Sequence, residues 1–143
     1  MVINDLFKIT DYLVERCVKV TDKHITERNL AADYVCIFSQ SDEEYVELIS
    51  LAEQISKIVQ DTPTGPVYAF ITPPETNAGK PKLLKIRKPD LTRPQRGDVD
   101  FNTDYQNFKQ KYLDNKSFTL IKRQDFEMIE LRDSSFDVLV YFS

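Results

Sequence analysis

Apolar and polar residues repeat along this chain with two different periods. From Leu6 to Val20, apolar residues recur at spacings of three and four, which predicts an amphipathic helix over residues 3–20. A helix of this length must cover an apolar surface, either the sheet of its own domain or a partner. Residues 21–31 show no clear period and are predicted to be a connector in which His24 is solvated.

The elements predicted after this helix occur in the same order twice: a strand, a helix and then three strands. The first set is a strand at 33–38, a helix from 41 to about 55, and strands at 57–62, 67–72 and 82–88. The second set is a strand at 98–101, a helix that begins near 103, and strands at 117–122, 125–131 and 135–142. Segment 57–62 also fits a continuation of the preceding helix, and that alternative is left open.

Both internal helices begin with the pattern of a capping box. Ser41 with Glu44, and Thr103 with Gln106, place a hydroxyl three residues before a side chain that can reach back to a free backbone N–H. Each pair follows its strand at the same distance, which supports a repeated β-α-β-β-β unit. The chain is therefore interpreted as a single domain, with an N-terminal helix and connector (1–31) and two βαβββ modules (32–88 and 97–143).

Composition and charge exclude several classes of protein. The 143 residues are 41% hydrophobic and carry a net charge of −4, which is ordinary for a globular domain. No run of 18 apolar residues predicts a membrane span, and acids among the first residues do not fit a signal peptide, so a cytoplasmic location is expected. Only three glycines are present, which argues against a glycine-rich phosphate loop.

Cysteine, histidine and basic residues each limit the chemistry. Cys17 and Cys36 lack CxxC spacing and are predicted to be reduced and buried, while a single His excludes a His-rich zinc site. Segment 80–96 contains seven basic residues and one acid. This segment is interpreted as a solvated strand edge and loop, with an anion site as the alternative and nucleic-acid binding ranked low.

Four segments resemble the vicinal oxygen chelate superfamily, which includes glyoxalase I and the extradiol dioxygenases. DYVCIF (33–38) resembles the opening strand of the first module of that fold, and KLLKIRKP (82–89) resembles its closing strand. GDVDF followed by NTDYQNF (97–108) resembles the opening of the second module, and FDVLVYF (136–142) its last strand. The N-terminal helix and the proline-containing linker are similar to a bacterial branch of this superfamily that is thought to bind metal. The resemblance implies an α+β fold in which the two modules form a curved, barrel-like mixed sheet around a cleft.

The resemblance also indicates where metal ligands would stand. Members hold a metal with a His on the first strand of each module and a Glu on the last strand of each. Those positions correspond here to Tyr34 and Asp98, and to Arg87 (give or take one residue) and Tyr141. An arginine repels a divalent ion, so neither a metal nor another cofactor is expected.

An ion pair is the predicted substitute for the metal. Asp98 and Asp100 share one face of their strand, and a pair between Arg87 and either acid would satisfy both partners. A buried ion pair that only fills space is the alternative. The predicted ligand-binding residues are Tyr34, Tyr68, Lys85, Arg87, Asp98, Asp100 and Tyr141.

Glu127 and Glu130 are a weaker candidate for paired catalytic carboxylates. Residues three apart in a strand face opposite sides, so the two acids are expected to be separated and solvated.

Three functions follow from this sequence. The first is a binding protein for a small, anionic molecule, with Lys85 and Arg87 as the cations that hold it. The second is a lyase or isomerase of the same superfamily that uses Asp98 or Asp100 as its base. The third is a protein-interaction module. Whether the protein is an enzyme, and whether it forms a homodimer, is left open by the sequence.

Overall fold

The computed structural model describes residues 1–143, which form three helices and one eight-stranded sheet. The helices are α1 (Ile3–His24), α2 (Asp42–Ile55) and α3 (Tyr105–Tyr112). The strands of the first module are β1 (Ala32–Phe38), β2 (Ser56–Thr62), β3 (Gly65–Phe70) and β4 (Leu83–Arg87). Those of the second are β5 (Gly97–Phe101), β6 (Phe118–Lys122), β7 (Glu127–Leu131) and β8 (Val138–Phe142).

The two modules have the same topology. The sheet order is β2-β3-β4-β1-β5-β8-β7-β6, so each module contributes four adjacent strands. Within each module the first and last strands pair in parallel, and β1 pairs with β5 in an antiparallel manner where the modules meet. The predicted α+β fold with two βαβββ modules is confirmed. The sheet is curved and open, with β2 and β6 as its edge strands.

The register at the junction defines an approximate twofold axis. Val35 pairs with Val99, and this pair is flanked by Tyr34 opposite Asp100 and by Cys36 opposite Asp98. A twofold axis through the central pair therefore exchanges Tyr34 with Asp98. The same operation brings β4 onto β8, because each is the parallel neighbour of its module's first strand.

The helices cover one face of the sheet and build the core there. One apolar cluster of 27 buried residues contains side chains from both modules and from α1. Leu6, Leu13 and Cys17 of α1 are completely buried, and the helix packs on β1, β5 and β8. The apolar face of α1 is therefore covered by the sheet of its own chain. None of the three helices combines the length and apolar character needed to cross a membrane.

Helix α1 is longer than the sequence predicts, which changes the environment of His24. The helix continues to His24, whose Nε2 lies 2.7 Å from Oδ2 of Asp133 in the turn before β8. The prediction of a solvated histidine is therefore wrong, because a partner 109 residues away holds the ring.

One of the two predicted helix caps is present. Ser41 Oγ accepts a hydrogen bond from Glu44 N at 3.1 Å, while the Glu44 carboxylate accepts from Gln40 N one residue further back. The Thr103 cap is wrong, since α3 begins after Asp104 and the Thr103 hydroxyl donates to the Ser143 carbonyl oxygen at 2.9 Å.

Candidate functional site

The face of the sheet opposite the helices forms a cleft with a volume of about 450 Å³. It extends from β2 at one edge of the curved sheet to β6 at the other. Both opening strands and both closing strands contribute side chains, because alternate residues of a strand face the same side. The cleft contains six of the seven predicted site residues, namely Tyr34, Lys85, Arg87, Asp98, Asp100 and Tyr141.

Tyr68 is the predicted site residue that lies elsewhere. It pairs with Leu84 on β4, faces the helices and is 2% exposed within the apolar core. The prediction that it lines the cleft is wrong. Burial raises the pKa of the Tyr68 phenol to about 12.

Asp98 lies at the centre of the cleft wall. Burial raises the pKa of its carboxyl to about 7, and the nearby Asp100 adds to this shift. Lys85, Arg93 and Arg87 oppose it by stabilising the carboxylate. The side chain accepts no hydrogen bond from the protein, so no donor offsets the cost of burying its charge.

Asp100 is a second acid on the same face of β5 and lies opposite Tyr34 on β1. Burial raises the pKa of its carboxyl to about 6. Asp100 differs from Asp98 in having a donor, because Ser143 Oγ donates to Asp100 Oδ1 at 3.0 Å. This hydrogen bond favours the ionised form and limits the shift.

Lys85 lies beside Cys36 in the parallel register of β4 and β1, and Cys36 in turn lies opposite Asp98. Its Nζ donates to Thr64 Oγ1 at 2.7 Å. Burial lowers the pKa of this half-buried ammonium group. Lys85, Cys36 and Asp98 are therefore level on three neighbouring strands, and Lys85 supplies the positive charge among them.

Arg87 does not form the predicted ion pair with Asp98 or Asp100. Its Nη2 lies 3.5 Å from Oδ2 of Asp90, three residues along the chain, and its Nε is buried without a hydrogen-bond partner. The register explains the difference, because Arg87 lies beside Phe38 while the pairing of β1 with β5 ends one residue earlier. Asp90, three residues away in sequence, is therefore closer to the Arg87 guanidinium group than Asp98 or Asp100 of β5.

Two arginines converge at this end of the cleft. The guanidinium carbon of Arg87 lies 5.6 Å from the centre of the Phe38 ring, and that of Arg93 lies 5.9 Å from it. Arg93 belongs to the linker between the modules and was not among the predicted site residues. The basic segment 80–96 contained the relevant signal, since three of its cations line the cleft.

Glu130 is the other cleft residue whose role the sequence did not reveal. Its Oε2 accepts a hydrogen bond from Tyr141 at 2.8 Å, and Arg132 donates to its Oε1 at 3.3 Å. Glu127 faces the helix side, where Tyr105 and Lys109 donate to it. The two glutamates thus lie on opposite faces, as predicted. The prediction that they are solvated is wrong for Glu130, which is buried, whereas Glu127 stays partly exposed.

Comparison with known proteins supports the fold. No protein-family model matches the sequence, and no curated protein does. A solved structure from structural genomics, "Protein EC4020", superimposes with a TM-score of 0.73 over 97% of this chain and 85% of that one. The two sequences are 9% identical, so the likeness extends to the fold alone.

The residues at the four positions that the resemblance assigns to metal ligands do not fit a divalent metal. No three side chains of His, Cys, Asp and Glu lie close enough together to share an ion. The register makes Lys85, rather than Arg87, the twofold equivalent of Tyr141. The four equivalent positions thus hold one carboxyl, two phenols whose pKa is raised mainly by burial, and one ammonium group, which repels cations.

The charge of the cleft favours an anion. The cations Lys85, Arg87, Arg93 and Arg123 line it together with the acids Asp98, Asp100 and Glu130. Because two of the acids have raised pKa values, the positive charges exceed the negative ones near neutral pH. Apolar side chains complete the wall at Val67, Ile121, Phe126 and Met128.

Proposed function

We propose that this protein binds a small anionic molecule in the cleft. Lys85, Arg87 and Arg93 hold the negative group, and the apolar side chains of β6 and β7 pack against the rest of the ligand. On this proposal the chain is a cytoplasmic relative of the vicinal oxygen chelate superfamily that binds a ligand without the metal of that superfamily.

The arrangement of Arg87 and Arg93 carries the proposal. Both guanidinium groups lie near the Phe38 ring at one end of a cleft of about 450 Å³. Arg93 forms no ion pair with any acid of the chain, and Arg87 has only a long contact with Asp90. Guanidinium groups with unused donors bind carboxylates and phosphates with paired hydrogen bonds.

Titration of the ¹⁵N-labelled protein with butyrate and with inorganic phosphate tests this function. Chemical-shift changes should be largest for backbone amides around the cleft. Arg87→Gln should weaken binding by about ten- to one hundred-fold, because a hydrogen bond to a charged group is lost. Lys116→Gln removes the same charge from an exposed position outside the cleft and is the matched control.

The outcomes separate a specific site from general charge attraction. Equal weakening by both variants would mean that only net charge matters. Shift changes scattered over the surface, or no binding of either anion at millimolar concentration, would overturn the proposal.

A second function is favoured by the position of Asp98. A carboxylate with a pKa near 7 that faces the cleft is suited to remove a proton from carbon, with Lys85 close enough in register to stabilise the resulting oxyanion. The reaction class would be an isomerisation or elimination that begins next to a carbonyl group.

Deuterium exchange at carbon 3 of 2-oxobutyrate in D₂O tests the second function. The wild-type protein should accelerate exchange above the rate in buffer, and Asp98→Asn should abolish the acceleration. Exchange at the buffer rate with the wild-type protein would rule out this use of Asp98 on a 2-oxo acid.

A further inference from the structure

The polar groups of the cleft fall into two classes. The first class is paired within the protein: Lys85 donates to Thr64 at 2.7 Å, Tyr141 donates to Glu130 at 2.8 Å, and Ser143 donates to Asp100 at 3.0 Å. These hydrogen bonds hold the side chains in place and use part of their bonding capacity.

The polar groups of the second class have no hydrogen-bond partner within the protein. The Asp98 carboxylate accepts no hydrogen bond, and the Tyr34 hydroxyl makes none. Arg87 Nε is a buried donor without an acceptor. Buried polar groups in folded proteins are nearly always paired, so the unpaired Arg87 Nε needs an explanation. Asp98 and Tyr34 are half-buried and line the cleft, so their unused bonding capacity is open to a ligand there.

The strand positions place Tyr34 and Asp98 at one end of the cleft and Arg87 at the other. Tyr34 and Asp98 are diagonal neighbours across the β1–β5 junction. Arg87 lies on β4, two strands away from Asp98 on β5, and is two residues beyond Lys85, which is level with Asp98. Ordinary strand spacing therefore places the Cα atoms of Arg87 and Asp98 roughly 12 Å apart. The Arg87 guanidinium group turns to Asp90 and the Phe38 ring. The ligand itself must therefore bridge to Asp98, with its two polar groups on different atoms of a short carbon chain.

We infer that the ligand is a small hydroxy acid, with its anionic group on Arg87 and Arg93 and its hydroxyl on Asp98 and Tyr34. The hydroxyl donates to the Asp98 carboxylate and accepts from the Tyr34 phenol. This assignment rests on the proposed anion-binding function and adds to it the second group that the ligand must carry.

The charges that face Asp98 favour a hydroxyl over an ammonium group. Asp100 faces it from the same strand, Lys85 and Arg87 face it from β4, and Arg93 faces it from the linker. Its remaining neighbours in the cleft are the uncharged Cys36 and Tyr34 of β1 and Tyr141 of β8. Three cations already surround the carboxylate, so a cationic ligand group would be repelled, whereas a neutral donor would not.

Butyrate and its 2-, 3- and 4-hydroxy derivatives form a matched set of probes. The carboxylate and the carbon chain stay constant while the hydroxyl moves along the chain, so the series also measures the separation of the two ends. Dissociation constants from NMR titration at pH 8, where Asp98 is ionised, give the comparison. One hydroxy isomer should bind about ten-fold tighter than butyrate, because a charge-assisted hydrogen bond is added.

Variants assign the preference to particular residues. Asp98→Asn should reduce the preference for that isomer, while Asp61→Asn, which removes a charge from an exposed position on β2, should preserve it. Tyr34→Phe removes a single hydroxyl group and should also reduce the preference, so it decides the question if Asp98→Asn fails to fold.

The results distinguish this inference from the function on which it rests. If butyrate binds as tightly as every hydroxy isomer, or if the preference survives Asp98→Asn and Tyr34→Phe, the hydroxy-acid assignment is wrong and anion binding stands. If none of the four compounds binds at millimolar concentration while inorganic phosphate does, the hydroxy-acid assignment is wrong and anion binding stands. If phosphate also fails to bind, both are wrong.

Discussion

Asp98 and Cys36 lie directly opposite each other where the two modules meet, on the face of the sheet that lines the cleft. Cys36 is 5% exposed and burial raises the pKa of its thiol well above the usual value, so it stays neutral. Asp98 therefore has an uncharged neighbour across the junction. The pKa of the Asp98 carboxyl therefore depends on its burial and on the charges of Asp100, Lys85, Arg93 and Arg87, and its effect on stability can be measured.

Asp98 should make the stability of the protein depend on pH. Its folded-state pKa of about 7 lies above the ordinary value of 3.8, so the folded protein retains a proton that the unfolded chain releases. The free energy of unfolding should fall as pH rises from about 4 to about 7 and level off above that range. Asp98→Asn should be more stable than the wild type at pH 8 by on the order of 2–4 kcal/mol.

Urea denaturation at pH 4, 6 and 8 measures this difference, and Asp61→Asn is the control at an exposed site. Asp100, with a pKa of about 6, contributes a smaller total decrease of the same sign, which persists in the Asp98 variant. Parallel pH curves for the wild type and Asp98→Asn would contradict the assignment.

Gly97 should not tolerate a side chain. A Cβ atom there would lie 2.2 Å from the Cys36 carbonyl oxygen and 2.9 Å from Cδ1 of Leu13, so both the junction of the modules and α1 would have to move. Gly97→Ala should destabilise the protein by about 3 kcal/mol, at the upper end of the cost of overpacking. Thermal unfolding of Gly97→Ala tests this expectation, with Ser134→Ala, a substitution at an exposed position, as the control. A melting temperature equal to that of the control would show that the backbone relaxes.

Arg96 connects the linker to the start of α2. Its Nη1 and Nη2 donate to the two carboxylate oxygens of Glu44 at 2.6 and 3.1 Å, and Nη1 also donates to the Phe38 carbonyl oxygen at 2.8 Å. Both side chains are less than one-fifth exposed, so this pair should be stronger than a surface ion pair. Arg96→Lys cannot reproduce the forked contact and should cost about 1–2 kcal/mol. A double-mutant cycle with Glu44→Gln measures the coupling, and a coupling energy near zero would contradict the prediction.

Asp133 connects the end of α1 to the turn before β8. Hydrogen bonds from Lys23, Ser135 and His24 hold the pKa of its carboxyl well below the ordinary range. A lowered pKa adds stability above the unfolded value near 4, and this stability is lost as pH falls below it. Asp133→Asn should therefore cost about 2 kcal/mol at pH 7 and progressively less toward pH 2. Acid-to-neutral urea titrations check this trend, and a constant difference across the range would contradict it.

Local pattern was enough to predict the elements and the faces of most strands. Asp98 and Asp100 alternate with buried residues on β5, and Lys85 and Arg87 do so on β4, so the cleft face of both strands follows from period two. Tyr68 could not be assigned in this way, because almost every residue of β3 is buried and alternation gives no information there.

Long-range partners were beyond the reach of local pattern. Thr103 has the sequence of a helix cap, but its hydroxyl bonds to the last residue of the chain. His24 is held by Asp133, and Arg87 turns to Asp90 rather than crossing two strands to Asp98. Each outcome depends on the register between strands or on the path of a loop, which the spacing of residues within one segment does not determine.

The linker of residues 88–96 joins the two modules and also forms part of the cleft wall through Arg93. Insertion of a few residues between Asp90 and Arg93 would draw that guanidinium group away while leaving every strand pair of the sheet intact. Ligand affinity and assembly of the halves could thus be varied independently. A laboratory library confined to residues 91–95 would sample new binding properties while keeping the contact of Arg96 with Glu44.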